Sequence, residues 1–368
     1  STPSNYDIPV NYNGDKLSIF SKFNISLSTI RNFLKTSDAN KAPGPDGIHG
    51  KILKNCALSI SYPMYLIFNK SFQTGFIPND WKQANVVPVF KKGDKSLVEN
   101  YRPISLTSLT MKIFEKCIRK ELMSSCKHLI NNNEHGFMPL KSCNTQMIPF
   151  VDDLGLTIQD QARTDVIYFD FAKAFDTVNH DIILHKLKYQ FNIDGTMLNF
   201  IKSYLQNRTQ RVVIGGDRSN NVTVNSGVPQ GSILGPLLFV LFINDMQSGI
   251  SPQTNLALYA DDTKIWRRIF HSSDSEILQK DIDALHKWSI INKMRFHPNK
   301  CKVLMVTNQT ENKYFTLPHD RFPYKLGETY LDYVNSEKDL GVIVNTHLSW
   351  HEQCISLLVK FKSRLGLV

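Results

Sequence analysis

The chain reads as an α+β protein in which an antiparallel sheet carries the acidic residues. Three patterns predict this. Apolar residues recur at helical spacing around 27–35, 48–56, 113–123, 179–188 and 275–292. Runs of β-branched and aromatic residues at 84–90, 101–106, 165–171 and 302–306 read as strands. The stretch 256–266, LALYADDTKIW, reads as two strands meeting at a tight turn on Asp261-Asp262.

Taken in order, a polar Asn- and Ser-rich lead precedes the first helix. A breaker cluster, Lys41-Ala-Pro-Gly-Pro-Asp-Gly47, then opens onto the second. The strands at 84–90 and 101–106 form an expected hairpin. Lys91 and Lys92 lie next to a Gly93-Asp94 tip, and Arg102 lies on the return arm.

At 368 residues the chain is longer than one typical domain, so a multi-lobed protein is expected. Hydrophobic residues at 42% supply real cores and exclude a disordered or fibrous chain. The excess of 43 basic over 33 acidic residues, net +10, favours polyanionic partners. None of the six cysteines forms a C-x-x-C pair, so reduced thiols are expected rather than zinc or disulfides. The longest apolar run, 233–243, is too short to cross a bilayer and contains Pro236. With no signal peptide, an intracellular protein without a membrane partner is expected. Ser1 and an unterminated helical pattern over 361–368 read as cuts in a longer polypeptide.

The acids carry the chemistry. Asp170 ends an apolar strand, and Asp261-Asp262 sits between Leu258-Tyr259-Ala260 and Ile265-Trp266. Carboxylates in such surroundings are costly unless paired or bound to a cation. Nucleotidyl transfer uses two Mg²⁺ ions roughly 4 Å apart, held by one or two carboxylates and by substrate phosphates. Strand side chains alternate faces, so one of Asp261 and Asp262 should reach the metals while the other supports from beside.

These residues carry a family resemblance. Tyr259-Ala-Asp-Asp262 resembles the Y-x-D-D box of reverse transcriptases, and 169–178 (FDFAKAFDTV) resembles their first catalytic box. The stretch 227–236 (GVPQGSILGP) is similar to the element beneath the incoming nucleotide. Further matches, including KAPGPDGI, NYRPISLTS, EHGF, NKCK and KDLGVIV, extend the resemblance from about Lys41 to about Trp350. The wording is most similar to non-LTR retrotransposons of the jockey or CR1 type.

The resemblance implies a right-hand polymerase. It has an N-terminal extension over 1–40, a fingers-rich part over 41–150, an interleaved palm over 151–310, and a primer grip with partial thumb over 311–368. It implies RNA-directed DNA synthesis with two Mg²⁺ ions (Mn²⁺ as substitute), an RNA template, a DNA primer and dNTPs. The element RNA, as a ribonucleoprotein, and a nuclear and cytoplasmic location are also implied. Asp170 and Asp261 would hold metal, with the Phe171 carbonyl a third ligand and Asp262 completing the triad. Phe175 would be the steric gate against a 2′-OH, and Gln230 and Gly231 would lie beside the sugar and base. Arg102 and one lysine of the Lys91-Lys92 pair would grip the triphosphate, and Lys300 would protonate the leaving pyrophosphate. Tyr330-Leu331 and 340–342 resemble the primer grip.

Several residues depart from the pattern. Met138 and Leu140 stand where the family has a basic and a small residue, leaving Lys141, and His297 stands where Asn is common. The thumb reads as incomplete, and the endonuclease domain usual in the family is expected to be missing from the stretch before residue 1. Two alternatives stay open: an RNA-templated RNA polymerase, against which Phe175 and the VPQG box argue, and an impaired relic or nucleic-acid-binding derivative.

Overall fold

The computed structural model describes residues 23–308 and 321–366. Most of the polar lead, the first part of the expected 311–368 segment and the last two residues of the C-terminal helical pattern lie outside these. The fold is α+β, in two compact units, each discontinuous in sequence. One comprises Ser1–Ile130 with Lys173–Ile243; the other comprises Asn131–Ala172 with Asn244–Val368.

The first unit packs helices against a sheet. Helices Leu27–Lys35, Ala57–Thr74, Leu109–Cys126 and Gly195–Leu205 surround an aromatic core. In it Phe114 stacks on Phe68 at 4.5 Å and tilts against Phe200 at 4.9 Å. Strands Gln83–Phe90 and Tyr101–Thr107 form the expected antiparallel hairpin, and Gln83–Phe90 also pairs in parallel with Arg208–Ile214. The connection between the arms is longer than the expected Gly93-Asp94 tip. It runs from Lys91 to Asn100, and Val98–Asn100 forms a short 3-10 turn. Its own bonds brace it: Ser96 N–H donates to Asp94 Oδ1, and the Asn100 amide donates to the Asp94 carbonyl.

The apolar run noted above becomes helix Gly235–Ile243, buried along its length. Pro236 lies in its first turn, where a missing N–H costs nothing. Ser232 Oγ and the buried Glu115 carboxylate accept the unpaired amides there, from Gly235 and from Ile233 and Leu234.

The second unit is built on a five-stranded sheet ordered Asp332–Val334, Lys302–Thr307, Arg163–Phe169, Asp262–Ile269, Asn255–Tyr259. It is antiparallel except at the Asp332–Val334 edge, which pairs in parallel. Central strand Arg163–Phe169 is buried almost throughout, its charged residues Arg163 and Asp165 paired with each other at 2.6 Å. Helix Cys143–Gln159 packs Phe150 and Leu154 onto Val166, Trp266 and Leu304 of the sheet. Helices Ser272–Ile291 and His351–Arg364 follow. Among the described residues no helix is long and apolar enough to cross a membrane.

Candidate active site

Asp170 directly follows the central strand of the second unit and is held by main-chain bonds. Its carbonyl accepts His297 N–H at 2.7 Å, and its own N–H points to Cys301 Sγ at 3.5 Å. Strands Asn255–Tyr259 and Asp262–Ile269 pair so that Tyr259 faces Asp262, leaving Ala260 and Asp261 as the two-residue turn. The turn therefore falls one residue earlier than expected on Asp261-Asp262. Ala260 adopts a left-handed φ of +57°, and Asp262 already belongs to the return strand.

Asp170 and Asp262 line one cleft, together with Lys264, Lys300, Lys338 and Asp339. Lys300 Nζ stands 3.8 Å from Asp170 Oδ1, both side chains about half exposed. Burial, then the charges of Asp261, Asp339 and Asp170, pushes the Asp262 carboxyl up to about 6. The carboxylates of Asp170, Asp261 and Asp262 thus act on one another here, beside the lysines of the same cleft. Among the described residues no three His, Cys, Asp or Glu side chains converge closely enough to hold an ion alone. Mg²⁺ seldom needs that, since one or two carboxylates suffice when phosphates and water fill the shell. The hard-oxygen donors and crowded charge fit a divalent ion. Phe171 is buried, its ring stacked on Phe296 at 4.3 Å, which leaves its carbonyl as the expected ligand atom.

Apart from Phe171, the expected nucleotide-binding residues lie in the first unit. Phe175, in the short helix Ala174–Thr177, is half-buried and stacks on Phe239 at 4.5 Å. Its carbonyl accepts Val228 N–H at 2.8 Å, which ties it to the VPQG loop. Gln230 donates to Asp176 Oδ1 at 3.1 Å, and its carbonyl accepts Ser105 N–H at 3.2 Å. Gly231 has φ +99°, and a Cβ there would meet Ser105 O at 2.7 Å, so only glycine fits. Phe175, Gln230 and Gly231 form one cluster, tied at Ser105 to strand Tyr101–Thr107. The same strand carries Arg102, exposed opposite Val89, while Lys91 and Lys92 are exposed at the start of the loop.

Sequence reasoning missed two residues of the second unit. Lys264, buried on the Asp262–Ile269 strand, forms an ion pair with the buried Asp339 and donates to Gln146 at 3.1 Å. The available signal was a lysine directly between Thr263 and the apolar pair Ile265-Trp266, on the strand that begins at Asp262. Glu134, buried although it sits in the polar run Asn-Asn-Asn-Glu-His, bonds the main chain of the Ala260 turn. The departures are also placed: Met138 is buried, and Leu140 is 95% exposed at φ +64°. A small residue would adopt that backbone more readily than leucine.

Comparison with known proteins places the chain in a family. The profile of the reverse transcriptase (RNA-dependent DNA polymerase) family matches residues 89–344. The chain is 29% identical over 300 residues to the RNA-directed DNA polymerase from mobile element jockey of Drosophila melanogaster, covering 78% of this chain and 32% of that protein. It is 26% identical over 353 residues to the jockey polymerase of Drosophila funebris, covering 93% and 37%. It is 27% identical over 343 residues to the probable RNA-directed DNA polymerase from transposon BS of Drosophila melanogaster, covering 89% and 36%. The chain thus spans about a third of the length of the curated relatives it matches. With the matched region covering most of its length and the three carboxylates gathered in one unit, the chain belongs to the reverse transcriptase (RNA-dependent DNA polymerase) family.

Proposed function

We propose that the chain is the polymerase part of a non-LTR element, adding deoxynucleoside monophosphates to a primer 3′-OH on an RNA template. The observation that carries this is the concentration of Asp170, Asp261 and Asp262 at one end of the second unit's sheet. Asp170 and Asp261, with the Phe171 carbonyl, are the residues to hold two Mg²⁺ ions (Mn²⁺ as substitute), and Asp262 supports them from the cleft. When bound, the ions stabilise the charge developing on the phosphate oxygens. Lys300, 3.8 Å from Asp170, would protonate the departing pyrophosphate. The basic surplus serves the backbones of template and primer. The right-hand division into fingers, palm, primer grip and partial thumb goes with this reading. Extension of oligo(dT) on poly(rA) tests it directly, and absence of extension by folded, template-binding protein overturns it.

Sugar choice gives one expected result. Phe175 is fixed by Phe239 and by the Val228 bond, which suits a rigid wall under the sugar. Phe175→Ala or Phe175→Val should raise NTP incorporation relative to dNTP by about tenfold or more, as opening a pocket costs a few kcal/mol of discrimination. The ratio of the two efficiencies in variant and parent measures it. An unchanged ratio with folding intact returns Phe175 to core packing.

Triphosphate binding gives another. Arg102 is exposed, and its guanidinium fork suits phosphate oxygens. Arg102→Ala should raise the KM for dNTP by about tenfold while leaving template Kd nearly unchanged. Weaker, salt-dependent template binding with normal KM would instead make this hairpin part of the nucleic-acid surface.

A further inference from the structure

The turn that carries Asp261 adopts a conformation that L residues disfavour, and the structure contains what holds it. Ala260 has φ +57° and is not glycine. Its N–H donates to Glu134 Oε1 at 3.1 Å, and Gly136 N–H donates to the same oxygen. The segment bearing Glu134 runs beside strand Asn255–Tyr259: His135 N–H donates to the Leu258 carbonyl at 2.9 Å, and Leu258 N–H to that of Asn133 at 3.0 Å. It lies so close that a Cβ on Gly136 would meet Ala260 N at 2.4 Å. It is anchored as well, since Asn131 N–H donates to Asn244 Oδ1 at 2.7 Å and Lys141 Nζ to the Glu134 carbonyl at 2.8 Å.

A glutamate here is expensive. Glu134 is 1% exposed, and its Oε2 is buried with no hydrogen-bond partner among the described residues. Burial pushes the carboxyl up to about 7, against the pull of the Ala260 and Gly136 amides. A residue needed only to fill space would be apolar.

We infer that Glu134 is a positioning residue for the metal-binding turn: its Oε1 pins the Ala260 amide, fixing the left-handed backbone that presents Asp261 and starts Asp262 on the return strand. This rests on the proposed role of Asp261. No contact of Glu134 with nucleotide or metal is involved; it acts through the main chain.

Three variants of the full chain, E134L, E134Q and D261N, test this by Mg²⁺-dependent extension of oligo(dT) on poly(rA), with template Kd and thermal unfolding measured on each. E134L fills the volume without an acceptor. It should lose about 100-fold in kcat, the scale of a roughly 1 Å misplacement. Its dNTP KM and template Kd should stay near the parent's, and the half-saturating Mg²⁺ concentration should rise. E134Q, which keeps an oxygen at the same place, should retain most of the parent kcat. A purely structural role predicts no such split and no shift in Mg²⁺ requirement. Parent-like kcat in E134L, or equal loss in E134Q and E134L, overturns the inference while an inactive D261N leaves the metal-site reading standing. An active D261N removes that reading instead. If E134L does not fold, E134D carries the test: its carboxylate stops one methylene short of the Ala260 amide, and parent-like kcat from it overturns the inference equally.

Discussion

Replacing Asp170 or Asp261 with asparagine should abolish primer extension while template binding persists. Asparagine keeps the volume and removes the charge, so the sheet should fold as before. What is lost is one anionic oxygen of a site that gathers three carboxylates and already raises the Asp262 carboxyl to about 6. Losing one ligand of a two-metal clamp should cost at least about 4 kcal/mol of transition-state stabilisation, roughly a thousandfold in rate. Single-turnover extension on poly(rA)/oligo(dT), beside template Kd by fluorescence anisotropy, separates chemistry from binding. Near-normal rates in either variant would remove these residues from the metal site. A parallel fall in template affinity would instead mean that the variants had lost their fold.

Lys264→Met should be among the most destabilising single changes in the second unit. Lys264 and Asp339 are both buried and directly paired, and the lysine also sits over the Phe150 ring at 3.9 Å. Burial pulls Lys264 down and pushes Asp339 up, and each partner's charge opposes the shift of the other. Removing the cation leaves a buried carboxylate without its partner, a loss of about 3–5 kcal/mol. The sign with pH follows. With Lys264 gone, Asp339 has a folded pKa above its unfolded value, so the folded state binds its proton more tightly. The penalty should therefore grow as pH rises from the unfolded pKa through the folded one, and shrink at acid pH. Denaturant unfolding at pH 5 and pH 8 measures this. The double variant K264M/D339L should recover most of the loss, and a penalty unchanged by the second substitution would refute the pairing argument.

Much of the secondary structure was legible because single segments signal it locally. The helix expected around 27–35 is present at Leu27–Lys35, and the 83–107 hairpin showed itself through β-branched runs on both arms. Where the reading slipped, the cause was non-local. The loop after Phe90 is longer than its Gly-Asp pair implied, because Val98–Asn100 folds into a 3-10 turn and Asn100 reaches back across the loop to the Asp94 carbonyl. The Asp261 turn shifted by one residue because alanine is not a residue expected at positive φ, and the Glu134 carboxylate that accepts its N–H is far away in sequence. Glu134 stood within the EHGF match, but nothing local pointed to its burial, which depends on pairing with a strand more than a hundred residues away. Lys264 could have been noticed, but its partner Asp339 could not. The main-chain geometry around Gln230 and Gly231 was anticipated only as a close approach; that Ser105 is the approaching residue required the fold.

The discontinuity of the two units has a consequence for synthesis. Strand Arg163–Phe169 emerges from the ribosome early, yet both its neighbours, Asp262–Ile269 and Lys302–Thr307, come roughly a hundred residues or more later. Until then a strand that buries Val166, Ile167 and Phe169 in the finished sheet has both edges open, the condition under which nascent chains aggregate. The first unit finishes sooner, since its last segment ends at Ile243. Ribosome-bound chains stalled shortly after that point should thus hold a protease-resistant first unit beside an unsatisfied strand. Closure of the sheet that gathers the acids then becomes a late, slow, long-range event in the life of each molecule.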